Sequence, residues 1–177
     1  GTALDGQVAY AAGFTGLGVG ATRFGADVML DLLAGEDTER TRTAPQGVRD
    51  SKLLTADARR RLVPRIQRWA ASYGVGHASA QEIDRFGIIR ALRLAGHRAL
   101  AQLAAEPSTV LLDGNHDYLT TPAELSLSEP PGLLERMPPV VTMIKADLRC
   151  AAVAAASVLA KTARDEIMVG LSADYPH

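Results

Sequence analysis

The sequence predicts a single α/β domain in which a mixed β-sheet is flanked by helices. Strands and helices alternate along the second half of the chain, which favours parallel pairing with helical crossovers. Short glycine-bounded apolar segments at the front leave room for an antiparallel part. With 177 residues, 47% of them hydrophobic and 22% charged, the chain can bury one sizeable core, which excludes a disordered, collagen-like or coiled-coil protein.

The elements follow in order. Residues 7–14 are apolar and bounded by glycines, the pattern of a buried strand. Glycines then crowd positions 13, 16, 18 and 20. Residues 21–33 carry both helical and strand spacing, and residues 34–47 are polar and loop-like. Thr55 is placed to cap a helix whose apolar residues are Leu62, Val63, Ile66, Trp69 and Ala70, with the arginines mostly on the outer face. Pro64 is expected to kink that helix or mark its start. Residues 71–77 form a further strand, and Ser79 with Glu82 has capping-box spacing. The following helix is expected to reach about Ala104 along a stripe of Ile88, Leu92, Ala95, Ala99 and Leu103, with Gly87 as a possible interruption and His97 on the surface. Residues 108–112 are a compact apolar strand running into Asp113, and residues 120–139 are a proline-rich loop. Residues 140–144 form the next strand, feeding into Asp147 and a helix over about 148–171 that begins apolar all round.

Net charge is −1, but it is unevenly spread. From Arg40 to Arg68 nine basic residues face only Asp50 and Asp57, a local net of +7. A segment of that density can neutralise phosphates and release their counterions, or it can be a solvated helix face. The single cysteine, Cys150, excludes an intramolecular disulfide, and the most apolar stretch is too short to span a bilayer. The expectation is an untargeted, monomeric, cytoplasmic protein with no membrane partner.

Asp113 and Asp147 each follow an apolar strand. Carboxylates at the ends of neighbouring strands can converge where open α/β sheets place ligands, and paired oxygen ligands suit Mg²⁺ or Mn²⁺. Each aspartate has a plainer reading, as a turn residue for Asp113 and a helix cap for Asp147. Asp50-Ser51-Lys52 opens the arginine-rich helix, and its hydroxyl, ammonium and helix-start amides make a candidate phosphate cradle or a surface cap. Residues 16–21 match G-x-G-x-x-A after a strand, the pattern of a dinucleotide-binding turn, although the acidic residues about 20 positions on lie in a polar loop. His116, three residues after Asp113, is a candidate edge residue of the same site, and the four histidines show no metal-ligand spacing.

Taken together, Asp50-Ser51-Lys52-Leu53-Leu54, Gly76-His77-Ala78-Ser79, Glu82-Ile83-Asp84, Leu112-Asp113-Gly114, Lys145-Ala146-Asp147 and the run from Ala154 to Asp165 resemble the bacterial ribonuclease HII family, in that family's order. The resemblance spans Asp50 to His177. It implies an RNase H-like fold and an endonuclease acting on the RNA strand of RNA/DNA hybrids, or beside ribonucleotides in duplex DNA, with Mg²⁺ or Mn²⁺. Asp113 and Asp147 fall on the third and fourth carboxylates of that family's site. Lys52 falls on the lysine that the family uses near the nucleic-acid backbone, and Gly18 and Gly20 align with the two glycines of the segment that senses the ribose 2′-hydroxyl.

The front of the chain departs from the pattern. Thr15 and Gly16 stand where the family carries Asp and Glu, and Val19 where it carries arginine. Asp5 and Asp27 are not obvious replacements. The chain also stops short of the family's C-terminal Gly-Tyr loop. The expected activity is therefore weak or lost, the alternatives being a non-cleaving nucleic-acid-binding pseudoenzyme and a dinucleotide-binding module at Gly16 to Ala21.

Overall fold

The computed structural model describes residues 8–11, 17–19, 45, 47–48, 54–122 and 129–172. In chain order the described elements are β1 (Val8–Ala11), β2 (Leu17–Val19), α1 (Ala56–Trp69), β3 (Val75–His77), α2 (Ala80–Phe86), α3 (Ile88–Leu100), β4 (Thr109–Asp113), β5 (Val140–Met143), a 3-10 turn (Ala146–Leu148) and α4 (Ala151–Leu171).

β4 is the middle strand of a parallel sheet ordered β1-β4-β5, with Ala11 opposite Leu112 and Asp113 opposite Met143. Its interior residues Val110, Leu111 and Leu112 have no exposed surface, because both faces of the sheet are covered. Leu111 joins the cluster built on the alanine-rich start of α4 and on Leu62 and Ile66 of α1. Val110 and Leu112, on the opposite face, pack with Leu100, Tyr118 and Leu119. Burying each such side chain contributes about 1.5–3 kcal/mol.

Among the described residues, the antiparallel part of the predicted mixed sheet is the pair of β2 with β3, in which Gly18 lies opposite Gly76. β3 rests directly on the backbone of α3: a Cβ on Gly76 would overlap the Ala95 carbonyl oxygen, and one on Gly74 that of Ala99. These glycines and the small residues of α3 therefore fit one another, and the buried face of α3 runs through Ala91, Leu94, Ala95 and Ala99. The predicted stripe is right at Ala95 and Ala99 but wrong at Ile88, which is exposed.

Local signals set most boundaries. The Thr55 hydroxyl accepts the Ala58 N–H at 3.2 Å and starts α1 at Ala56, so Pro64 lies inside the helix rather than at its start. Ser79 and Glu82 form the expected capping box. Gly87, at φ +80°, divides the predicted long helix into α2 and α3, and α3 ends at Leu100, short of Ala104. Glu82 also pairs with Arg98 at 2.6 Å, and this ion pair holds its carboxyl down at about 2. None of the described helices is long and apolar enough to cross a membrane.

His97 is buried, not on the surface, at 2% exposure. Its Nδ1 accepts the Leu134 N–H at 2.9 Å, so Nε2 carries the proton and donates to the Leu119 carbonyl at 3.0 Å. Beside it, Arg93 and Glu129 pair at 2.6 Å with side chains 3% and 6% exposed. Both contacts tie the proline-rich segment to α3, and neither partner is near in sequence.

Candidate metal centre

Asp113 closes β4, and strand alternation puts it on the same face as Leu111, toward α4. Opposite it β5 ends at Met143, and the Gly114 N–H donates back to the Met143 carbonyl at 3.0 Å. Two residues later Lys145 takes a left-handed conformation, φ 56° and ψ 40°, the one non-glycine residue with positive φ among the described residues. That geometry costs an ordinary residue about 1–2 kcal/mol. It reverses the chain into the 3-10 turn, where Leu148 N–H donates to the Lys145 carbonyl at 3.2 Å.

The reversal delivers the Ala146 N–H to Asp113 Oδ1 at 2.9 Å, and Asp147 is the next residue. The two aspartates, 34 positions apart in the chain, thus come to one place at the carboxyl ends of neighbouring parallel strands. Open α/β sheets bind ligands at this position.

Two details differ from expectation. Asp147 does not stand at the start of the long helix: α4 begins at Ala151 with Cys150 at its cap position, and Asp147 belongs to the intervening 3-10 turn. Asp147 is also only 5% exposed, because that turn packs against β4 and α4, so Asp113 supplies the more open half of the pair.

The chemistry of the pair fits a hard divalent cation, which is commonly held by one or two carboxylates with water and a substrate phosphate completing the shell. The fit is to part of a site. Among the described residues no group of three or more His, Cys, Asp or Glu is gathered to hold a metal. β1 runs parallel beside β4, yet the sequence has no Asp or Glu from Gly6 to Ala26 to supply from that strand or the residues after it.

Of the other candidate residues, Gly18 is placed in β2, opposite Gly76. Gly20, Ser51 and Lys52 lie outside the described residues, as do Thr15 and Gly16. The dinucleotide-turn reading of residues 16–21 is corrected by β2 itself. Leu17 to Val19 is extended and paired with β3, whereas a phosphate-cradling turn must bend there and open a helix.

α1 presents Arg60, Arg61, Arg65 and Arg68 to solvent, as expected, and Arg60 pairs with Asp57 at 3.0 Å. Arg61, Arg65 and Arg68 repeat at helical spacing along one side. Arg59 is the exception, turned inward to Asp165 at 3.0 Å. Burial alone would raise the Asp165 carboxyl, but hydrogen bonds from Lys161 and Arg59 outweigh it and hold the carboxyl below its usual range. Asp165 is therefore a clasp between α4 and α1. His116 is exposed on the segment after Asp113. The sequence reading took Lys145 only as part of the Lys145-Ala146-Asp147 string; its backbone conformation escaped that reading, because nothing in its neighbours announces a left-handed lysine where glycine or asparagine is the ordinary occupant.

The sequence profile of the Ribonuclease HII family matches residues 32–176. The chain is 45% identical over 134 residues to a ribonuclease HII of Streptomyces avermitilis, covering 76% of this chain and 51% of that protein. It thus spans about half the length of such relatives. Among solved structures it is similar to the ribonuclease H2 of Pyrococcus horikoshii OT3, with a TM-score of 0.62, 24% identity, and coverage of 96% of this chain and 77% of the other. It is also similar to Bst-RNase HIII in complex with Mn²⁺, with a TM-score of 0.60, 22% identity, and coverage of 97% and 56%. At these identities the structures speak for the fold.

Proposed function

The chain belongs to the ribonuclease HII family, and from that premise we propose that it binds RNA/DNA hybrids or ribonucleotide-containing duplex DNA, with hydrolysis weak or lost. The observation that carries this reading is the Asp113–Asp147 junction beside a strand that brings no carboxylate. Asp113 and Asp147 would hold Mg²⁺ or Mn²⁺. When bound, such an ion would supply activation of a water and charge stabilisation at the departing 3′ oxygen. With only Asp113 and Asp147 to hold it, an ion would have fewer fixed ligands than the family's four carboxylates offer, and the scissile phosphate would be positioned less firmly.

The exposed arginines of α1 support the binding half of the proposal, since phosphate contacts fix register on a duplex without reading its sequence. The Bst-RNase HIII neighbour, solved with Mn²⁺, supports the choice of a divalent ion. A monomeric, cytoplasmic protein fits a single, buried cysteine. The test is cleavage of a hybrid duplex with Mg²⁺ or Mn²⁺, run beside a relative that has the full carboxylate set. The expected rate is lower by about 100-fold or more, with any residue of activity removed by Asp113→Asn. Turnover equal to the relative's would overturn the weak-hydrolysis reading.

A further inference from the structure

Lys145 is the place where the chain accepts an unfavourable backbone conformation next to the two aspartates. Its neighbours show what the bend achieves: Met143 lies opposite Asp113, Ala146 N–H holds the Asp113 carboxylate, and Asp147 follows. A glycine there would make the same turn without the Cβ penalty. The lysine adds an exposed ammonium on a flexible stem, and among the described residues no carboxylate forms an ion pair with it. With exposed Arg149, equally close to Asp147 in sequence, it is one of two cations flanking the rim formed by the two acidic residues, and it is the one whose own backbone makes the bend; a nucleic-acid strand must bring its own negative charge there. Strained residues that persist at a ligand site are maintained by the surrounding structure.

We propose that Lys145 is a phosphate-binding residue: its left-handed backbone sets the Asp113–Asp147 junction, and its ammonium engages a backbone phosphate of the bound strand beside that junction. The proposal rests on the nucleic-acid-binding reading above and names a contact within it. Backbone and side chain have separable consequences, because glycine and asparagine keep the turn while removing the charge.

The experiment measures binding of a short RNA/DNA hybrid across a salt series in EDTA, together with the thermal midpoint, for the full chain and its Lys145→Gly, Lys145→Asn and Lys145→Arg variants. One lost phosphate contact flattens the slope of log K against log salt by about 0.7–0.9. The expected result is that flattening in Lys145→Gly and Lys145→Asn, with weaker binding at low salt and a midpoint no lower than that of the parent, and recovery of the slope in Lys145→Arg. An unchanged slope, or lost affinity that tracks a lowered midpoint, would overturn the proposal and leave the wider reading standing. Absence of salt-dependent hybrid binding by the unaltered chain would overturn both.

Discussion

Two polar clusters in this molecule have opposite character. Around α3, Arg93 and Glu129 neutralise each other in the interior, Arg90 approaches the same carboxylate at 3.4 Å, and His97 uses both ring nitrogens. At the sheet rim, a backbone turn that carries strain at Lys145 holds the Asp113 carboxylate through the Ala146 N–H and places Asp147 at the next residue. The first arrangement closes its charges and anchors a proline-rich segment. The second sets two aspartates beside one backbone turn at the end of the sheet, and it keeps an unfavourable backbone angle in order to do so. Polarity alone does not mark a functional site. The strained backbone at Lys145 distinguishes the two.

That contrast can be broken by mutation. Glu129→Ala leaves the Arg93 charge buried without its carboxylate, and the expected loss of stability is about 3–5 kcal/mol in urea unfolding. A loss below about 1 kcal/mol would show that the α3 cluster is not an internal anchor. A smaller effect concerns pH. Burial holds the His97 imidazole below its ordinary value, so the unfolded chain takes up protons there before the folded one does. Stability from this group is complete above about pH 6.5 and declines as pH falls below that value, by up to about 1.4 kcal/mol per unit. Unfolding measured from pH 8 to pH 5 should show this decline, reduced in His97→Gln; equal slopes in the two proteins would contradict the fixed neutral tautomer.

The parts legible in the sequence were those with local causes. Asp113 ends an apolar strand, Thr55 and Ser79 cap helices through their own side chains, and Gly87 breaks a helix by its backbone freedom. The misread parts depend on distant partners. His97 looked like a surface residue because Leu119 and Leu134, which satisfy its ring, come from a segment with no regular spacing. Arg59 looked like its four exposed neighbours until Asp165, 106 positions away, drew it inward. The α3 stripe was legible at Ala95 and Ala99, where Gly74 and Gly76 pack onto the helix backbone, and failed at Ile88, which is exposed. Half of the candidate site was legible as two strand-end aspartates; the turn that joins them was not, because it hangs on one dihedral angle at Lys145.

The most direct test of the rim as a cation site is titration with Mn²⁺ followed by electron paramagnetic resonance, for the unaltered chain and for Asp113→Asn. The expected result is weak binding that disappears in the variant, while the variant's unfolding free energy stays within about 1.5 kcal/mol of the parent's, the net worth of one hydrogen bond. Mn²⁺ binding of equal strength in both proteins would contradict the assignment of Asp113 and Asp147 as the metal-holding pair.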